Sequence, residues 1–239
     1  MLSNIRIVLL ETTHPGNIGA AARAMKTMGL SQLHLVAPAR FPHPEAEARA
    51  SGAADLLRSA RLWGSLHEAL RGCTLVAGAS ARPRNLAGAR LDARSAARRL
   101  AAEAGRSPVA VVFGRESTGL TNAELDRCHI LLHIPTAPDC SSLNLAAAVQ
   151  VVAYELFAAG GDGVAAEPRP PEPPAGAEEL AGFYGHLERV LLELSFAEPG
   201  RSTPVMRRLK RLYNRARPDR TELNILRGVL TAVEKALRR

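Results

Sequence analysis

Three stretches pair small residues with side chains able to grip or polarise a ligand. The first runs Asn17-Ile-Gly-Ala-Ala-Ala-Arg23 and follows an apolar run and a turn of His14, Pro15 and Gly16. It reads as the opening of a helix, whose free N–H groups and positive dipole end suit an anion. Arg23, about two turns in, carries a permanent charge and a forked donor array suited to phosphate. The second stretch is Val112-Phe113-Gly114-Arg115-Glu116-Ser117-Thr118-Gly119-Leu120. Its glycines have P-loop spacing, but Leu120 and Thr121 stand where Lys-Ser/Thr is required, so a nucleoside triphosphate is not indicated. No GxGxxG follows a strand, so neither is a dinucleotide. Glu116 in such a loop can accept from a ribose or an amine. The third stretch is Ile134-Pro135-Thr136, then Ser141-Ser142-Leu143-Asn144, with Ser142 a candidate N-cap for the helix that follows. Each stretch also has a plainer reading: a surface arginine, turn glycines and capping serines. His129 and His133 are not joined by a Cys or carboxylate cluster, so no metal site is expected. No Ser-His-Asp pattern is present, and Cys140 has no evident partner.

The elements that must position these stretches follow from hydrophobic patterning. Ile5–Leu10, Gln32–Val36, Thr74–Gly78, Val109–Phe113 and Ile130–Ile134 are short, nearly continuous apolar runs, as expected of parallel strands covered on both faces. Asn17–Met28, Ala93–Ala104 and Leu143–Ala158 read as helices between or after them. The alternation predicts an α/β fold with a parallel sheet. The 143–158 helix has few polar positions, so it is expected to be covered on more than one side, most economically by a second subunit. Residues 159–177 hold five prolines and four glycines and read as a linker between a 1–158 domain and a 178–239 helical domain. The latter is expected to fold as Glu178–Leu194, Val205–Tyr213 and Thr221–Leu237.

Charge separates the two parts. The chain carries 31 Lys+Arg and 23 Asp+Glu, yet Arg201–Arg239 alone holds 12 basic and 3 acidic residues. On the 205–213 helix, Val205, Met206, Leu209, Leu212 and Tyr213 fall on one side, and Arg207, Arg208, Lys210, Arg211 and Arg215 on the other. This concentration of charge suits a polyanion, nucleic acid or an anionic membrane surface; a solvated face without a partner is the alternative. No apolar run has the length of a bilayer-spanning helix, and the first residues read as a strand, not a signal peptide. Three scattered cysteines predict neither disulfides nor zinc, and a reducing cytoplasmic compartment.

In this order and spacing, NIGAAARAMKTMGL, VFGRESTGL and SSLNLAAAVQVVAYE resemble the three motifs of the ribose 2′-O-methyltransferase branch of the SPOUT class of RNA methyltransferases. The tail segments FYGHLE, RRLKRLYNRARP and ELNILRG resemble the bacterial tRNA cytidine/uridine 2′-O-methyltransferases. The resemblance implies an α/β domain ending in a trefoil knot, a homodimer with its site near the subunit interface, and S-adenosylmethionine as methyl donor. It implies tRNA as substrate, modified at the first nucleotide of the anticodon loop (position 32). Carried over by position, the donor site is Ala79, Ser80, Ala81, Gly114, Ile134, Ser141, Ser142 and Leu143. The catalytic set is Arg23, Ser142, Asn17 and Glu116: Arg23 grips phosphate and stabilises developing alkoxide charge, Ser142 and Asn17 orient the ribose, and Glu116 holds the loop or a substrate hydroxyl. A ribosomal-RNA methyltransferase and a non-catalytic RNA-binding protein share the same fold and stay open.

Overall fold

The computed structural model describes residues 1–81, 89–139, 142–161, 173–196 and 203–238. In chain order its strands and helices are β1 (Ile5–Leu10), α1 (Pro15–Thr27), β2 (Gln32–Val36), α2 (Pro44–Ala50), α3 (Ala54–Arg58), β3 (Arg61–Trp63), α4 (Leu66–Ala69), β4 (Leu75–Ala79), β5 (Ala89–Asp92), α5 (Ala93–Ala104), β6 (Val109–Phe113), α6 (Asn122–Leu125), β7 (Ile130–His133), α7 (Leu145–Gly161), α8 (Ala177–Glu193), α9 (Thr203–Ala216) and α10 (Arg220–Leu237). The seven strands form one sheet in the order β3-β2-β1-β6-β4-β7-β5, with every pairing parallel.

Helices cover both faces because alternate side chains of each buried strand point to opposite sides. Ile5, Ile7 and Leu9 of β1 join a core with residues of α1, α2, α5 and α7. Val8 and Leu10 join a second cluster with Leu66 of α4 and Leu125 of α6. Helix α1 lies tight against α2: a Cβ on Gly19 would meet Ala46 O at 2.0 Å. A third cluster, with Phe183, Tyr184, Leu187, Met206, Leu223 and Leu230, holds α8, α9 and α10 together. Phe183 and Tyr213 meet edge to face at 4.9 Å, the geometry aromatic pairs prefer.

Several expected boundaries shift. β4 starts one residue later than expected and β7 stops at His133. Helix α7 begins at Leu145 and runs on through Gly161, past the expected linker start, and Pro174 forms a bridge with Asp219. Ser142 is not the cap of α7. Asn144 takes that place, its Oδ1 accepting from Ala146 N at 2.9 Å. The charge division of α9 also needs correcting. Leu212, placed with the apolar side, is 45% exposed, and Arg207, placed outward, pairs with Asp126 at 3.5 Å. The reason is that the helical domain packs against the sheet domain, so part of its basic side faces acidic groups there and not solvent. Among the described residues no helix is long and apolar enough to cross a membrane.

Candidate active site

Parallel α/β sheets leave their ligand crevices at the carboxyl ends of the strands. A cavity of about 290 Å³ opens there, past β4, β6 and β7. Ala79, Ser80 and Ala81 form one side, the 114–120 loop a second, and Ile134, Thr136, Ser142 and Leu143 a third. Leu132, Leu145 and Ala148 supply an apolar lining. The volume sits at the lower end of the range for small-molecule sites. Ser80 N–H donates to Leu132 O at 2.9 Å, tying the first side to β7. All of the donor residues carried over from the resemblance line this cavity except Ser141, which, like Cys140, lies outside the described residues.

The 114–120 loop owes its shape to its glycines. Gly114 passes so close to the returning chain that a Cβ would meet Gly119 C at 2.3 Å and Leu120 N at 2.5 Å. Gly119 adopts φ +69°, a conformation that favours glycine. Its N–H donates to Arg115 O at 2.9 Å, closing the loop. Arg115 holds it from outside: Nη2 and Nε contact Glu11 at 2.6 and 2.9 Å, and Nη2 and Nη1 contact Glu124 at 3.0 and 3.2 Å. The two carboxylates push the guanidinium's already high pKa further up.

Glu116 does not keep its carboxylate free. Oε2 accepts from Thr13 N at 3.1 Å and Thr13 Oγ1 at 3.0 Å, and Oε1 accepts from His14 N at 3.1 Å and Asn17 Nδ2 at 3.0 Å. Burial raises its pKa, but the hydrogen bonds from Asn17, Thr13 and His14 outweigh it and hold the carboxyl at about 2. Asn17 Oδ1 in turn accepts from Asn144 Nδ2 at 3.0 Å. One chain of hydrogen bonds therefore pins the start of α1 to the 114–120 loop and to the start of α7. It joins the three sequence stretches at one sheet edge.

Arg23 stands apart. It is exposed on α1 and is not among the residues lining the cavity. Asn144 and Arg115 are site residues that the sequence pattern does not single out. Asn144 lies in the quoted third stretch, but a residue there looks like a simple cap. Arg115 sits beside the more conspicuous Glu116. Among the described residues no three His, Cys, Asp or Glu side chains gather to hold a metal ion.

A doubly covered parallel sheet with a cavity at its carboxyl edge, built from these loops, defines an α/β domain with a small-molecule site. Residues 4–154 match the model of the SpoU rRNA methylase family, and the chain belongs to that family. Residues 178–239 match the C-terminal domain of the tRNA methyltransferase TrmJ. The chain is 52% identical, over 98% of both sequences, to the tRNA (cytidine/uridine-2′-O-)-methyltransferase TrmJ of Pectobacterium atrosepticum. It is 49% identical, over 100% of this chain and 96% of the other, to the tRNA (cytidine/uridine/adenosine-2′-O-)-methyltransferase TrmJ of Pseudomonas aeruginosa. The crystal structure of TrmJ from Z. mobilis superposes with a TM-score of 0.83 at 34% identity, covering 96% of this chain and 98% of that one.

Proposed function

We propose that this chain is an S-adenosylmethionine-dependent methyltransferase acting on tRNA, at the ribose 2′-hydroxyl of a cytidine or uridine that opens the anticodon loop. The observation that carries this reading is the convergence of the 79–81 and 114–120 segments with Ile134, Thr136, Ser142 and Leu143 on one cavity. Its backbone-rich rim and apolar lining fit a nucleoside-bearing donor: Ala79, Ala81 and Gly114 offer main-chain groups, Leu132, Ile134 and Leu143 offer packing, and Ser142 offers a hydroxyl. S-adenosylmethionine held there would supply an activated methyl group, its S–CH3 bond breaking to leave S-adenosylhomocysteine as the ribose oxygen bonds to carbon and its proton is released to solvent, so the protein's work is positioning and charge stabilisation. Arg23 grips the adjacent phosphate and stabilises the developing alkoxide. Ser142 orients the ribose. Asn17 has one amide hydrogen left after bonding Glu116 and serves the same end. Glu116, with both oxygens engaged, is a positioning residue.

The basic helical domain is the tRNA grip. Its match to a tRNA methyltransferase domain favours tRNA over ribosomal RNA. We divide the chain into a methyltransferase domain at 1–158, a linker at 159–177 and an RNA-binding domain at 178–239, with the end of α7 and the first residue of α8 falling within the linker. The trefoil knot belongs to this reading. It is supported by β7 lying between β4 and β5, two strands joined earlier in the chain. The free, buried thiols of Cys73 and Cys128 fit a cytoplasmic location.

The enzyme works as a homodimer. Helix α7 turns Tyr154 and Phe157, each 52% exposed, away from the sheet, leaving an apolar face that a second copy covers. Helix α1 packs against α7 within each copy, and we read the dimer contact on α7 as bringing the partner subunit's Arg23 to the cavity. Calorimetric titration with S-adenosylmethionine separates the enzyme from a pure RNA binder, because only the enzyme needs the donor. A mixing experiment tests the shared site. Arg23→Ala and Ser142→Ala proteins, each inactive, are unfolded and refolded together. If Arg23 serves the opposite cavity, half the dimers are mixed and one of their two sites is intact, restoring about a quarter of parental activity. No recovery would place Arg23 in its own subunit's site.

A further inference from the structure

Among the described residues the helical domain docks on the sheet domain at two places. One is the lower edge of the sheet. There Ala177 N–H donates to Cys73 O at 3.3 Å, and Arg217 pairs with Glu103 at 3.3 Å, whose other oxygen accepts from Thr74 Oγ1 at 2.8 Å. The second is the end of α6. Asn214 Nδ2 donates to Asp126 O at 3.1 Å, and Arg207 Nε lies 3.5 Å from Asp126 Oδ2. Asn214 is 7% exposed, and its Oδ1 accepts from Tyr184 Oη at 2.6 Å, so its amide is held in one orientation.

Helix α6 has a second set of ties, to the cavity. Thr121 and Glu124 cap it reciprocally: Thr121 N donates to Glu124 Oε2 at 2.7 Å and Glu124 N to Thr121 Oγ1 at 3.3 Å. Glu124 also grips Arg115, the residue that closes the 114–120 loop on Gly119. Four residues of helix have no stability of their own. Leu125 anchors α6 in the core on that face of the sheet, and what touches its two ends sets how those ends lie. One end is the cavity loop; the other is the helical domain.

We propose that docking on α6 fixes the conformation of the 114–121 loop, which makes Asn214 a positioning residue for a cavity that it does not line. The functional part of this rests on the reading of the cavity as the methyl-donor site. Because coupling between two sites is reciprocal, whatever tightens the loop around a donor tightens the docking of the helical domain by the same factor. RNA gripped by the basic helices and donor held in the cavity thereby sense each other without touching.

The test uses the full chain as the parent, Asn214→Ala, Arg207→Ala and Tyr184→Phe proteins. Amide hydrogen exchange is followed without ligand, and S-adenosylmethionine affinity is measured by calorimetry. Asn214→Ala should speed exchange at Gly119, Leu125 and Asp126 by about tenfold and weaken donor binding by about fivefold. Arg207→Ala should shift both in the same direction by less, because its pair is partly solvated. Tyr184→Phe, which frees the Asn214 amide to turn, should speed exchange of the 114–126 amides in the same direction by less than Asn214→Ala. Exchange in α8 and α10 reports whether the helical domain is still folded; if Asn214→Ala unfolds it, Arg207→Ala decides alone. Parental exchange across 114–126 in both Asn214→Ala and Arg207→Ala would overturn the proposal. A parent that binds no S-adenosylmethionine would instead overturn the reading of the cavity, and the exchange data would still decide the coupling.

Discussion

Replacing Glu116 by glutamine tests whether that side chain organises the site without joining the chemistry. The carboxylate accepts four hydrogen bonds, two on each oxygen, all between 3.0 and 3.1 Å. Glutamine keeps one oxygen and turns the other into a donor facing two donors, so two charge-assisted bonds are lost. Such bonds contribute roughly 1.5–3 kcal/mol each when shielded. This site is open to solvent, and water replaces part of the loss, leaving about 2 kcal/mol for the pair. The equilibrium constant for aligning α1 on the 114–120 loop falls by about thirtyfold, and single-turnover methyl transfer at saturating tRNA should fall by up to that factor. Donor affinity, which depends on the loop backbone, should change less than the rate. The pH dependence follows from the sign of the shift. Glu116 is depressed from 4.5 to about 2. Its contribution is therefore fully present above about pH 4.5 and is lost as pH falls toward 2. The stability difference between parent and variant should be flat above pH 4.5 and shrink below it. A Glu116→Gln protein that transfers methyl within threefold of the parental rate would refute the positioning role.

Three further outcomes follow from the same geometry. Gly114→Ala should destabilise the protein by about 2–4 kcal/mol and abolish donor binding, because its Cβ would meet backbone that cannot yield; thermal unfolding and calorimetry check both. Arg208 and Arg215 are exposed on α9. If each contacts a phosphate, the double alanine variant should reduce the slope of log affinity for tRNA against log salt by about 1.4–1.8, and an unchanged slope would remove them from the interface. Arg23→Ala should abolish methyl transfer while leaving S-adenosylmethionine affinity within about twofold of the parent, since Arg23 does not line the cavity.

The central strands were legible because burial on both faces leaves nearly continuous apolar runs, as in Val109–Phe113. The edge strands were not. Arg61–Trp63 leaves Leu62 55% exposed, and Ala89–Asp92 alternates with charged residues, so neither carries that signature. Helices α2, α3, α4 and α6 are too short for helical periodicity to show. At the site, the family resemblance grouped Gly114, Ile134 and Ser142, and each follows a strand that ends at the same sheet edge. The role of Glu116 was only half visible. A carboxylate in a glycine loop looks available to substrate, and what occupies it, the turn at Thr13 and His14, lies about a hundred residues away. Asn144 escaped for a similar reason: its capping bond to Ala146 is local and ordinary, whereas its bond to Asn17 spans the fold. Arg207 was assigned by helical phase, which cannot tell a solvent-facing charge from one turned toward Asp126.

The account is tested most directly by mass-spectrometric mapping of 2′-O-methyl groups on unmodified tRNA and ribosomal RNA incubated with the protein and S-adenosylmethionine. A new methyl group confined to tRNA, on the ribose of the pyrimidine opening the anticodon loop, and absent with Ser142→Ala, is the result expected. Methylation of ribosomal RNA alone, or none on either RNA by a protein that binds both donor and tRNA, would contradict it.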